Sequence, residues 1–238
     1  MRWVVVPRRP VVWGIALVAL ICILFLGLRS CSRTAEIGKE QYLNEALENT
    51  KASETYRYRI ESRLIGQDGE STLQSKIEGE REAPDRIHIR GKLVNSPIEF
   101  IQVEDTTYMK DQFSGKWLVI KGNRLAQNEL FITELNPLAV FEFKDIPKIT
   151  YKGRDGSFRK RLDLFEISPL VANTYLETLF TDFKYHLWVN PNDKRIVRAS
   201  VEAVSRGNEK ERLLVDLEFW DYGAEITVKA PEQTSEQQ

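Results

Sequence analysis

Apolar and polar residues alternate with a period of two through most of this chain. Over residues 55–65, Tyr56, Tyr58, Ile60 and Leu64 fall on one parity, and Arg57, Arg59, Glu61 and Arg63 on the other. Successive side chains of a strand point to opposite faces, so this pattern predicts a strand with one buried and one wet face, the habit of an antiparallel sheet. Residues 86–93 repeat it, with Ile87, Ile89 and Leu93 set against His88, Arg90 and Lys92. A more polar strand is predicted over 71–82, and others over 97–103, 106–110, 116–120, 148–152, 161–167, 183–189, 195–204, 212–220 and 225–229. Turn-forming residues separate them, including Gly66-Gln67-Asp68-Gly69, Ala83-Pro84-Asp85, Glu104-Asp105, Ser114-Gly115 and Asn190-Pro191-Asn192-Asp193. Twelve stretches are marked in this way, and a sheet of about ten or eleven short strands is expected from them.

The period lengthens in three places. Residues 34–51 predict a helix, with Ile37, Leu43, Ala46 and Leu47 as a partial apolar stripe that packs on the sheet. Residues 128–143 predict a helical insert rich in Leu and Phe, in which Pro137 starts a new helix or kinks the first. Residues 169–180 predict a short helix. The expected fold is mainly β (α+β): a curved antiparallel sheet with one apolar face formed by Tyr58, Ile60, Ile87, Ile89, Phe100, Leu162, Leu187, Leu213, Val215, Leu217 and Phe219. Helical inserts that cover such a face incompletely leave an apolar cleft. Tyr58, Ile60, Ile87, Ile89, Phe100, Leu187 and Val215 are the candidate lining of that cleft.

The N-terminus differs from the rest. Residues 11–28 run VVWGIALVALICILFLGL without a charge, roughly 27 Å of helix at 1.5 Å per residue and enough to cross a bilayer core. Arg2, Arg8 and Arg9 precede this run, and Arg29 and Arg33 follow it. The positive-inside bias favours a cytoplasmic N-terminus and an exported main domain. Three forms of the segment stay open: an uncleaved signal anchor, a lipoprotein signal processed at Leu28-Arg29-Ser30-Cys31 so that Cys31 carries lipid, and ordinary cleavage near Ser32. Arg29 fits the lipoprotein form poorly. The expected organisation is a cytoplasmic N-terminus at 1–10, an anchor or signal at 11–28, a linker and first helix at 29–50, the β domain at 51–231 and a polar tail at 232–238. The expected location is the cell membrane, single-pass, with the bulk of the chain outside the cytoplasm.

Composition removes several functions. The chain of 238 residues has 34 basic and 35 acidic residues in mixed order, a net charge of −1, and no basic stripe to meet nucleic acid. Its two cysteines, Cys22 and Cys31, lie in or beside the apolar run, so the β domain has no disulfide, thiol nucleophile or cysteine metal site. His88 and His186 both take outward parity, with no His, Cys or carboxylate at ligand spacing along the chain. No nucleophile elbow, zinc-protease helix, P-loop or dinucleotide-binding glycine motif occurs. Asp155-Gly156-Ser157 lacks the alternating oxygens of a calcium loop. No cofactor and no enzymatic activity are expected. Trp117, Trp188 and Trp220 are expected to fill the core or to line the cleft, and Arg57, Arg59 and Arg63 to pair with acids across strands or to touch anionic headgroups.

The order of local motifs resembles one family. These are Thr55-Tyr56-Arg57-Tyr58, Thr107-Tyr108-Met109-Lys110 followed by Lys116-Trp117, the Leu/Phe-rich insert, Leu187-Trp188-Val189-Asn190 followed by Ile196-Val197-Arg198, Leu217-Glu218-Phe219-Trp220-Asp221-Tyr222-Gly223, and Ala230-Pro231. Together they are similar to the bacterial lipoprotein-carrier group typified by LolA, LppX and LprG, over residues 35–231. The resemblance implies an incomplete β-barrel lidded by helices, which holds acyl chains of lipids or lipoproteins by distributed apolar contact and has no catalytic residue. Two functions follow as expectations: a membrane-anchored module that binds an acyl chain or other hydrophobic ligand, and a non-enzymatic sensor or protein-interaction domain at the outer face of the membrane.

Overall fold

The computed structural model describes residues 38–122, 136–156 and 161–232. The chain divides into two units, residues 1–43 and residues 44–238. Of the first, residues 38–43 are described and are helical. The apolar run at 11–28, the start of the predicted helix at 34–37 and the first part of the Leu/Phe-rich insert lie outside the described residues; among the described residues, no helix is long and apolar enough to cross a membrane.

Helix α1 spans residues 38–51. Eleven strands follow among the described residues: β1 (Thr55–Ile65), β2 (Ser71–Glu82), β3 (Arg86–Leu93), β4 (Ser96–Val103), β5 (Thr106–Lys110), β6 (Trp117–Lys121), β7 (Phe143–Asp155), β8 (Leu162–Val171), β9 (Phe180–Asn190), β10 (Arg195–Ser205) and β11 (Arg212–Trp220). They form one antiparallel sheet in the order β6-β5-β4-β3-β2-β1-β11-β10-β9-β8-β7. Nine of the ten neighbour relations join strands consecutive in sequence, and in the tenth β1 and β11, far apart in sequence, pair at the centre through Tyr58 opposite Phe219 and Ile60 opposite Leu217. Among the described residues, β6 and β7 are the two edges and no ladder joins them, so the sheet they form is not closed.

Strand positions follow the alternation closely in the first half of the chain. The differences arise where a second constraint acts. The predicted helix at 169–180 shrinks to α2 (Thr174–Leu179), because Pro169 to Val171 continue β8 and the helix starts only at Asn173, whose side chain accepts from Leu176 N at 2.9 Å. The strand predicted at 148–152 extends to Phe143–Asp155, an edge strand with three register shifts that blur its period. Of the Leu/Phe-rich insert, the described part is a 3-10 turn (Pro137–Phe141) with Pro at its first position, and all five residues are buried.

The strand predicted at 225–229 does not form. The chain leaves β11 in the middle of the sheet, where both flanks are already paired, so no free strand edge is within reach. The segment instead crosses the ends of β1, β2 and β3. Gly223 N donates to Thr55 O at 2.9 Å, Val228 N to the Glu82 carboxylate at 2.9 Å, and Arg86 to Val228 O at 3.4 Å. Ile226 and Val228 form a small second core with Ile101, joined by Val103, Tyr108 and Trp117.

Candidate ligand-binding face

The register lines up one apolar face across the sheet. One transverse row runs Phe219, Tyr58, Gly79, Ile89, Phe100 and Met109 from β11 to β5. The next runs Phe165, Leu187, Ala199, Leu217, Ile60 and Ile77 from β8 to β2. A third holds Ile167, Tyr185, Val201, Val215, Ser62 and Ser75. The seven sequence-chosen residues, Tyr58, Ile60, Ile87, Ile89, Phe100, Leu187 and Val215, all lie on this face, and none is more than 8% exposed.

Leu162 does not belong to it. In β8 the buried parity is Asp163, Phe165 and Ile167, and Leu162 pairs with Asp155 on the opposite face. The run Leu162-Asp163-Leu164-Phe165 puts apolar residues on both parities, so alternation alone cannot choose. Asp163 can face inward because Tyr151 Oη donates to it at 2.8 Å and Arg154 at 3.3 Å. Phe165, Ile167, Tyr185, Ala199 and Val201 are members that the sequence reading left out; in β10 the small Ala199 and Ala203 masked the periodicity.

The face has its own cover. Phe141, in the 3-10 turn, sits 5.9 Å from the Phe219 ring, and Tyr185 Oη donates to Val140 O at 3.2 Å. Phe143 meets Tyr185 edge-on at 5.2 Å. Tyr56, Phe219 and Tyr222 pack together with centroids 5.9 to 6.2 Å apart. Burial pushes the hydroxyls of Tyr56 and Tyr185 well above the ordinary tyrosine range, with Arg81 partly offsetting this at Tyr56. Polar atoms on the face are few. Ser62 and Ser75 share a hydrogen bond of 2.7 Å. The Tyr56 hydroxyl and Gln102 Oε1 are buried and find no partner among the described residues.

The opposite face is charged and wet. Arg57 bonds Glu80 at 3.3 Å and Asp221 at 2.6 Å, and Arg59 bonds Glu78 at 2.7 Å and Glu218 at 3.4 Å. Cross-strand pairing thus accounts for these two arginines, while Arg63 pairs within its own strand with Glu61. Both histidines point to this side, as their parity predicts, but each does have carboxylate neighbours across strands: Glu99 at 3.3 Å and Glu80 at 3.6 Å for His88, and Glu166 at 3.3 Å for His186. Spacing along one strand is blind to such partners. Among the described residues, no group of three or more His, Cys, Asp or Glu could hold a metal ion.

The tryptophans do not line the apolar face. Trp188 and Trp220 stand on the charged side, under Arg198 at 4.6 Å and Arg59 at 5.9 Å, and Trp188 Nε1 donates to Asp155 at 2.7 Å. Trp117 packs on the small second core. Two open depressions, of about 910 and 340 Å³, also lie on the charged side, the first lined by Lys76, Arg90, Lys92 and Lys110 among others. Among the described residues, the apolar face offers burial area and few polar contacts.

No family model matches the sequence, and no curated protein matches it. Solved structures do. The lipoprotein LppX from Mycobacterium tuberculosis aligns over 79% of this chain and 97% of its own, with 12% identity and a TM-score of 0.51. LprF from Mycobacterium bovis aligns over 80% of this chain and 95% of its own, with 17% identity and a TM-score of 0.51. A LolA superfamily protein from Nitrosomonas europaea aligns over 79% of this chain with a TM-score of 0.36. An eleven-stranded antiparallel sheet among the described residues, in which β1 pairs β11 and one face is largely apolar, gives this chain the fold of LppX and LprF.

Proposed function

We propose that residues 38–232 form a domain that holds a lipid acyl chain, or another extended apolar ligand, against the apolar face of the sheet. Residues 11–28 tether it to the outer face of a bacterial cytoplasmic membrane. The observation that carries this proposal is the continuity of the apolar face from β8 to β5, in a sheet left open between β6 and β7 and covered in part by a five-residue 3-10 turn. The 3-10 turn is held there by one tyrosine hydroxyl, ring contacts and the burial of its own five residues, and it has to move aside for a ligand to enter. Each methylene transferred from water to the face contributes about 0.8 kcal/mol, so one long chain binds without polar recognition. The ligand-lining roles of Tyr58, Ile60, Ile87, Ile89, Phe100, Leu187 and Val215 belong to this proposal.

Native mass spectrometry of the detergent-purified full chain tests it. Bound acyl species that disappear on lipid extraction, and return with added fatty acid, are the expected outcome. A chain that is ligand-free from the start and ignores a fluorescent fatty acid sinks the proposal. The same spectra read the intact mass, which separates a lipid-modified Cys31 from an uncleaved anchor. LppX is itself a lipoprotein.

A further inference from the structure

Phe113, Val94, Met109, Leu170 and Leu179 are the exposed large apolar side chains among the described residues. The register puts Val94, Phe113, Leu170 and Leu179 at one rim of the sheet, where β1, β3, β5, β8 and β10 end, while Met109 lies farther in, opposite Phe100. Two hairpin tips dominate this rim. Phe113, 100% exposed, crowns the β5–β6 turn, and Val94, 64% exposed, crowns the β3–β4 turn. Neither tip is loose. The Asp111 carboxylate accepts from Phe113 N at 3.5 Å and Ser114 N at 3.0 Å, and Gly115 N donates to Asp111 O at 2.9 Å. Gln112 Nε2 donates to Pro97 O and ties one tip to the other. The fold therefore holds two apolar points in water on a rigid ledge.

Most of the charge around the ledge is paired, and two lysines are the exception. The 910 Å³ depression that opens behind it is lined by Lys76, Arg90, Lys92 and Lys110. Lys76 and Lys92 stand directly opposite each other on β2 and β3, and only Lys76 has an acid to meet it, Glu61 at 3.0 Å. Lys110 pairs with Glu99 at 2.7 Å and Arg90 with Glu78 at 3.9 Å, while Asp111 is held by its own turn. Among the described residues, Lys92 and Lys116 are in no ion pair.

We propose that these two tips dock on an anionic lipid bilayer, with Val94 and Phe113 in the interfacial layer and Lys92 and Lys116 on the headgroups. Paired projecting apolar points flanked by lysines suit a soft interface that closes around them. A protein partner would instead need a broad complementary patch. The chain's own apolar run at 11–28 makes a bilayer the surface at hand. This proposal does not depend on acyl binding by the apolar face.

The test uses the full chain reconstituted in vesicles, in a Cys22→Ser, Cys31→Ser background, with an NBD fluorophore on Val94→Cys or, at the opposite end of the sheet, on Asn192→Cys. In vesicles of equal parts phosphatidylglycerol and phosphatidylcholine, NBD at 94 is expected to shift to the blue and to be quenched by doxyl lipids several-fold more than NBD at 192. Phe113→Ser, or Lys92→Gln with Lys116→Gln, should return it to the level found in pure phosphatidylcholine. Circular dichroism confirms that these surface variants fold. NBD at 94 that stays as wet as NBD at 192 in anionic vesicles overturns the proposal, as does shielding that appears only when another protein is added. Native mass spectrometry reads the apolar face separately, so either result stands alone.

Discussion

At the scale of single residues, the sheet depends on what is missing as much as on what is present. Gly79 faces Tyr58 across β1 and β2, and a Cβ there would meet the Tyr58 ring at 2.3 Å. The tyrosine lies flat over the space that any side chain would take. Gly91 is similar, with a Cβ position only 2.1 Å from Lys76 O. Gly79→Ala is expected to destabilise the domain by about 1–3 kcal/mol, the usual penalty for an overfilled core. Urea denaturation measures it, and an unchanged midpoint would show that the ring can move aside freely. The sequence marks both glycines as weak points in strands, but only the register says which ring each one makes room for.

Among elements, the junction of α1 with β10 shows how one side chain joins two pieces far apart in the chain. Thr50 Oγ1 donates to Ala46 O at 2.6 Å and accepts from Ile196 N at 2.9 Å. The register of β10 against β9 shifts just past Ile196, and the threonine takes up its buried N–H. Thr50→Val keeps the shape and removes the acceptor. It should lower stability by about 1–3 kcal/mol, seen in a thermal melt as a fall of roughly 2–4 °C per kcal/mol. No loss would mean that water replaces the hydroxyl. Strand existence was legible from the period of two. The fates of residues 225–229 and of Leu162 were not, since pairing depends on which strand edges are free and on which buried carboxylate finds donors.

For the whole molecule, the charged face sets the response to acid. Glu78 is held below the ordinary glutamate value of 4.5 by its hydrogen bonds to Arg59, Glu166 by Lys152, and Glu61 by Lys76. Between 4.5 and these lower folded-state values the unfolded chain binds more protons than the folded one. This contribution to stability is present above that window and is lost as pH falls through it. Melting temperature should drop as the pH is taken down from 5 to 3, about as read by circular dichroism at low salt. A triple Glu→Gln variant at positions 61, 78 and 166 should show a shallower drop, and an identical slope would mean that other carboxylates govern acid unfolding. Each pair is partly exposed, so the effect comes from the ensemble of pairs and weakens with added salt.

What the sequence determined by itself was local. The alternation set where strands lie and which parity is greasy, because side-chain direction in a strand follows from backbone geometry alone. It also placed both histidines and the arginine ladder on the wet side. Tertiary structure decided everything that needs a neighbour: the β1–β11 closure at the centre of the sheet, the carboxylates around His88, the tryptophans under arginines, the C-terminal segment strapped over strand ends, and the gathering of Val94 and Phe113 on one rim. These contacts join residues tens to hundreds of positions apart, and their free energy depends on pairing and burial that no local pattern encodes.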